Sequence, residues 1–113
     1  MREIKAIIQP FMLEPVLHAL AALDDLPGVT VSQVVGWGKT RAAGAVETVI
    51  EAGHAFARKT KIEIVVSDEL APRVVEVLTQ AARTGRPGDG KVFELEVRRA
   101  VKIRTGVEGL DAI

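Results

Sequence analysis

The chain has 113 residues, 48% hydrophobic and 27% charged, with 15 Lys plus Arg against 15 Asp plus Glu. That is one domain of ordinary globular composition, and the neutral balance argues against a dedicated nucleic-acid binder. The absence of cysteine excludes disulfides and thiolate metal sites, and no apolar run reaches membrane-spanning length.

A β-branched run from Glu3 to Pro10, EIKAIIQP, reads as a buried strand stopped by proline. It begins almost at Met1, so no signal peptide is expected and the cytoplasm is the expected location. Leu13, Val16, Leu17, Leu20 and Leu23 then recur at helical spacing, with Pro15 in the first turn, where a missing N–H costs little. DDLPG, Asp24 to Gly28, ends that helix, and Val29 to Gly38 reads as a second strand.

From Lys39 to Lys59 the periodicity weakens, and a segment of that length without clear structure is more often functional than filler. Lys61 to Asp68 reads as a third strand, with Ile62, Ile64 and Val66 on one face and Lys61, Glu63 and Val65 on the other. A helix follows, carrying Leu70, Val74, Val77, Leu78 and Ala81 on one side, and Lys91 to Val97 is the fourth strand. VKIRTG, Val101 to Gly106, reads as extended and partly apolar.

The two halves repeat one order: strand, short acidic turn, early proline, amphipathic helix. Two such units predict an α+β, ferredoxin-like βαββαβ sandwich, with antiparallel strands covered on one face by two helices. Its half-apolar open face suggests that sheets pack together across subunits.

Between the second helix and the fourth strand lies TGRPGDGKVF, Thr84 to Phe93. Gly85 to Gly90-Lys91 satisfies the first part of a Walker A pattern. A true P-loop stands between a strand and a following helix and places Ser or Thr after the lysine. Here a helix comes first, a strand follows, and the next residue is Val92, so the Walker reading fails. Two readings remain. Gly85, Gly88 and Gly90 can turn N–H groups into an anion-binding nest with Lys91 as a point charge, or the loop is glycine-rich because it turns tightly. Lys102 and Arg104, two apart on an extended segment, would stand about 7 Å apart on one face. They could clamp successive phosphates, or simply keep a strand edge solvated.

Together AIIQPFMLEPVLHAL, TVSQVVGWG, KIEIVVSDEL, AARTGRPGDGKVF and VKIRTGVEGLDAI resemble the PII signal-transduction proteins. The resemblance runs through the whole chain except the interior of the long loop. It departs at Glu94, where the family has an aliphatic residue. It implies a homotrimer of ferredoxin-like subunits binding ATP or ADP in clefts between neighbours, with Mg²⁺ as a companion ion. It makes residues 84–91 the phosphate loop, with Gly88, Asp89, Gly90 and Lys91 at its centre. Lys102 and Arg104, in the C-terminal segment 101–113, fall on basic positions reaching in from the adjacent subunit. Thr30 and Glu63 fall where the family recognises the base and its surroundings, and Gly38 and Lys39 where the arm begins beside the nucleotide.

Residues 39–59 correspond to the family's T-loop, the mobile arm that engages target transporters or enzymes of nitrogen metabolism. This is a divergent arm. The tyrosine that is uridylylated in many relatives aligns with Ala52, and the chain has no tyrosine, so that control is absent. The serine phosphorylated in some cyanobacterial relatives aligns with Ile50. Thr40 replaces the glutamine that helps hold Mg²⁺ between ATP and 2-oxoglutarate, so the resemblance does not carry effector sensing over there. Lys59 keeps the lysine that pairs with the effector carboxylate. The arm is apolar and helix-prone: it either folds onto its own trimer or offers Val46, Val49 and Ile50 to a partner groove.

The resemblance implies a regulator rather than an enzyme, although slow ATP turnover is compatible with it; neither His18 nor His54 belongs to an evident triad. A second hypothesis takes His54 with Glu47 and Glu51 as cation ligands in a metal- or transport-linked relative without 2-oxoglutarate sensing. A third, an RNA-binding sheet, needs paired aromatics on the central strands, and Phe93 stands alone there. Neither nucleic-acid binding nor direct membrane insertion is expected.

Overall fold

The computed structural model describes residues 1–38 and 48–113. Strand β1 (Arg2–Ile8) leads through a 3-10 turn (Pro10–Met12) into helix α1 (Leu13–Ala21). Strands β2 (Val29–Gly36), β3 (Thr48–Glu51) and β4 (His54–Val66) follow, then helix α2 (Ala71–Ala82) and strand β5 (Gly90–Glu96). A 3-10 turn, Gly109–Ala112, lies near the C-terminus.

The sheet runs in the order β2-β4-β1-β5, and β3 pairs with β4. Every pairing is antiparallel. With both helices on one face this is the expected α+β, ferredoxin-like architecture. Alternation of side chains explains the core. Ile4, Ala6 and Ile8 of β1 and Ile62, Ile64 and Val66 of β4 point to the helices and are buried, against Val16 and Leu20 of α1 and Val74, Val77 and Leu78 of α2. Each of the Val, Leu and Ile side chains among them contributes roughly 1.5–3 kcal/mol through its removal from water. On the opposite face Lys5, Lys61 and Glu63 mix with Phe93 and Leu95, which remain 47% and 41% exposed. Among the described residues no helix covers that face, in keeping with the half-apolar pattern of the strands.

Two segments differ from the reading of the sequence. The stretch taken as structureless up to Lys59 contains a β-hairpin over its described part, because β4 begins at His54 rather than Lys61. Thr48, Val49 and Ile50 are β-branched, and Ala52 and Gly53 turn the chain with φ of 49° and 79°. Two successive positive φ values are what a two-residue hairpin matched to the strand twist requires. Val49 and Ile50 are adjacent on a strand, so they point to opposite faces and cannot anchor one groove together. Val46 lies outside the described residues.

The second difference concerns VKIRTG, which is a reversal rather than an extended segment. The Gly106 amide donates to the Lys102 carbonyl at 2.7 Å and the Lys102 amide to the Val107 carbonyl at 2.8 Å. Gly106, at φ 75°, supplies the turn, and Val101 bridges Glu108 across it. Lys102 and Arg104 therefore do not share a strand face at the expected spacing.

Candidate functional site

The glycine loop is assembled from three fastenings. The first is steric. Gly90 opens β5 opposite Ile8 with φ 102°, and a Cβ placed on it would stand 1.7 Å from the Ile7 carbonyl oxygen. No side chain fits that space, so glycine is the residue that lets β5 start against β1.

The second is the Asp89 carboxylate. Its Oδ2 accepts the Thr84 amide at 2.8 Å and the Gly85 amide at 2.9 Å, while Oδ1 accepts the Thr84 hydroxyl. The same hydroxyl oxygen accepts the Arg86 amide at 3.2 Å. The hydrogen bond from Thr84 above all, with those of the two amides, holds the Asp89 carboxyl below the usual carboxylate range, and Arg83 acts in the same direction. Asp89 thus closes the loop on itself; its carboxylate faces inward rather than toward a bound anion.

The third is Lys59. It stands on β4 opposite Val34, and its Nζ donates to the Gly88 carbonyl at 2.6 Å. Burial lowers its pKa, while the Asp89 carboxylate works against that shift. The residue expected at an effector carboxylate here ties β4 to the glycine loop.

With these three held, Gly85 and Gly88 take φ of 86° and 93°, backbone open to glycine and strained for other residues. Lys91 is exposed, in the row that also holds Ile7 of β1 and Lys61 of β4. Asp89, Gly90 and Lys91 border a hollow of about 390 Å³ whose far wall includes Leu78, Ala82 and Arg83 of α2. The loop offers glycine-turned backbone and an adjacent cation, chemistry that suits an anionic group.

Thr30 and Glu63 are register partners on β2 and β4 and share the uncovered face. Glu63 is 3.5 Å from Lys61 in an ion pair, and with Thr30 it borders a cleft of about 430 Å³ that Ile113 helps to line. Strand spacing puts the backbones of Glu63 and Lys91 about 12 Å apart on that face. Gly38 follows β2; Lys39 and Thr40 lie outside the described residues.

Among the described residues, neither Lys102 nor Arg104 makes a side-chain hydrogen bond or ion pair with the glycine loop. They flank Ile103, which is fully exposed at the tip of the C-terminal turn. Arg99 pairs with Glu108 at 2.5 Å across the base of that turn.

His54 opposes Glu51 across the hairpin and meets the Trp37 ring edge-on, with centroids 5.4 Å apart and planes at 64°. No group of three His, Cys, Asp or Glu able to hold a metal is found among the described residues, and Glu47 lies outside them. His18 is exposed on α1. No helix among the described residues is long and apolar enough to cross a membrane.

Sequence reasoning named the loop but missed how it is fastened. The spacing Thr84-x₄-Asp89 was the available signal, since aspartate and threonine commonly accept nearby backbone amides in turns. The Lys59–Gly88 bond, 29 residues apart, left no local trace.

Comparison with known proteins places the whole chain in one family. The family model described as nitrogen regulatory protein P-II matches residues 1–107. Proteins named nitrogen regulatory protein P-II from Bradyrhizobium diazoefficiens and Rhodospirillum rubrum are each 42% identical over 113 residues, covering 100% of both chains. The protein of that name from Haemophilus influenzae is 39% identical, also over 100% of both chains. The chain belongs to the nitrogen regulatory protein P-II family.

Proposed function

We propose that this chain is a regulatory sensor that binds ATP or ADP through the loop 84–91 and signals to a partner protein through residues 39–59. The observation that carries the reading is the fastened glycine loop. Its open backbone is held by contacts within the chain itself, which leaves little conformational entropy to lose on binding. Lys91 supplies charge, and Thr30 and Glu63 lie on the same sheet face for the base and its surroundings.

The cleft is completed by a second copy of the chain in a homotrimer. The exposed turn Lys102-Ile103-Arg104 supports this, because it carries two exposed cations and a fully exposed isoleucine. In the assembly the two cations face the nucleotide of a neighbour, and Arg104 offers the planar fork that suits phosphate. The target is a transporter or an enzyme of nitrogen metabolism, and the response is a shift in arm conformation biased by differential contacts with the two nucleotides. The role is regulatory rather than catalytic.

Calorimetric titration with ATP and with ADP, in Mg²⁺ and with or without 2-oxoglutarate, tests this reading. Both nucleotides are expected to bind. Tightening of ATP by 2-oxoglutarate would show that Thr40 serves in place of glutamine. No tightening would make the protein an energy-state sensor, and failure of both nucleotides would end the proposal.

A further inference from the structure

Lys59 has a second consequence, which follows from the planarity of one peptide. The carbonyl that accepts its ammonium belongs to the Gly88–Asp89 peptide. None of the peptides among the described residues is cis. In a trans peptide the carbonyl and the N–H point in opposite directions within one plane. Fixing the Gly88 oxygen toward β4 therefore fixes the Asp89 N–H away from β4. Without a donor at position 59 that peptide could rotate, because Gly88 at φ 93° has access to many backbone conformations.

We propose that Lys59 is a positioning residue: its hydrogen bond to the Gly88 carbonyl sets the Gly88–Asp89 peptide so that the Asp89 N–H is presented to a phosphate oxygen. It acts through the backbone and not by touching the anion. The Asp89 side chain holds the same segment from the other end, through Thr84 and Gly85. The peptide is thus clamped between a strand and its own loop. Because Lys59 also lies on the strand that forms the β3–β4 hairpin, loop order and hairpin position share one mechanical link. This inference deepens the nucleotide reading and rests on it for the identity of the anion.

The test compares wild type, Lys59→Met and Lys59→Arg. In ligand-free protein, amide exchange is followed at Thr84 and Gly85, together with the Asp89 amide resonance. Lys59→Met is expected to speed exchange at both amides about tenfold, the lower end of what a charge-assisted hydrogen bond supplies, and to move the Asp89 resonance. Lys59→Arg, which keeps a donor, should restore most of both. Unchanged exchange and an unmoved Asp89 resonance in the methionine variant would overturn the proposal.

In the second arm, ADP affinity is expected to fall about tenfold in Lys59→Met while its dependence on salt stays that of wild type. A weakened salt dependence would mean that the ammonium contacts phosphate directly, and would also overturn the proposal. The exchange arm needs no ligand. Failure of wild type to bind ADP would therefore sink the nucleotide reading and leave the positioning role to be decided by exchange alone.

Discussion

The glycine loop and the C-terminal basic turn are both short, both glycine-dependent and both cationic, yet they are built on opposite plans. The loop is fastened inward: Gly90 against the Ile7 carbonyl, Asp89 onto Thr84 and Gly85, Lys59 onto Gly88. The turn is held by its own backbone and sends Lys102, Ile103 and Arg104 outward. A loop of the first kind is complete in one chain. A turn of the second kind spends its side chains on something else.

The largest expected effect breaks the loop. Gly90→Ala puts a methyl into the Ile7 carbonyl and should cost about 2–3 kcal/mol or more, read as a lowered denaturant midpoint with an unchanged slope. A midpoint within error of wild type would show that β5 can start elsewhere. Next, Arg104→Ala should weaken nucleotide binding about tenfold while leaving stability within about 0.5 kcal/mol of wild type. Loss of stability on the same scale as loss of affinity would place Arg104 in the fold rather than in the site.

Acid provides a third test. The folded pKa of Asp89 lies below its unfolded value, so its contribution to stability is present above the unfolded value, about 3.9, and is lost as pH falls through the folded one. Stability in wild type should therefore decline as pH drops below about 4. Asp89→Asn should flatten that decline. Asp68 acts in the same window, since its hydrogen bond and charge contact with the Met1 ammonium, 2.9 Å away, hold its pKa down. Asp68→Asn serves as the control, and an identical acid profile in wild type and Asp89→Asn would show that the loop carboxylate carries none of the effect.

The smallest effects belong to the exposed positions. Ala52→Gly should stabilise the chain by about 0.5 kcal/mol, the balance of relieved left-handed strain against glycine entropy. Ile103→Ser should leave the folding of the single chain unchanged within about 0.5 kcal/mol and yet shift the proposed homotrimer toward monomer in light scattering. An unshifted assembly would separate the turn from the subunit contact.

What could be read in the sequence follows the range of the forces involved. β-Branched runs located β1, β2 and β5, alternation of Ile62, Ile64 and Val66 located the second half of β4, and period-3.6 patterns located α1 and α2, because burial on one face writes itself into neighbouring residues. The hairpin was missed because Ala52, Ala55 and Ala57 dilute the alternation, and an Ala-Gly turn lacks the Asn or Asp that marks such a turn. The C-terminal reversal was missed because one glycine, Gly106, decides it against an otherwise strand-like run. In the site, the glycines and Lys91 were legible as a chemical type in a local pattern. The Lys59 link was not, since nothing near position 59 encodes the location of position 88.

The contact between Trp37 and His54 gives the protein a built-in optical gauge. Trp37 is the one tryptophan in the chain, and it sits at the end of β2 against the first residue of β4. Indole emission responds to its immediate neighbours, so a change in the seating of the hairpin would alter the signal of a single, unambiguous fluorophore. The junction between sheet and arm can therefore be followed in the unmodified protein, in real time and without an attached dye.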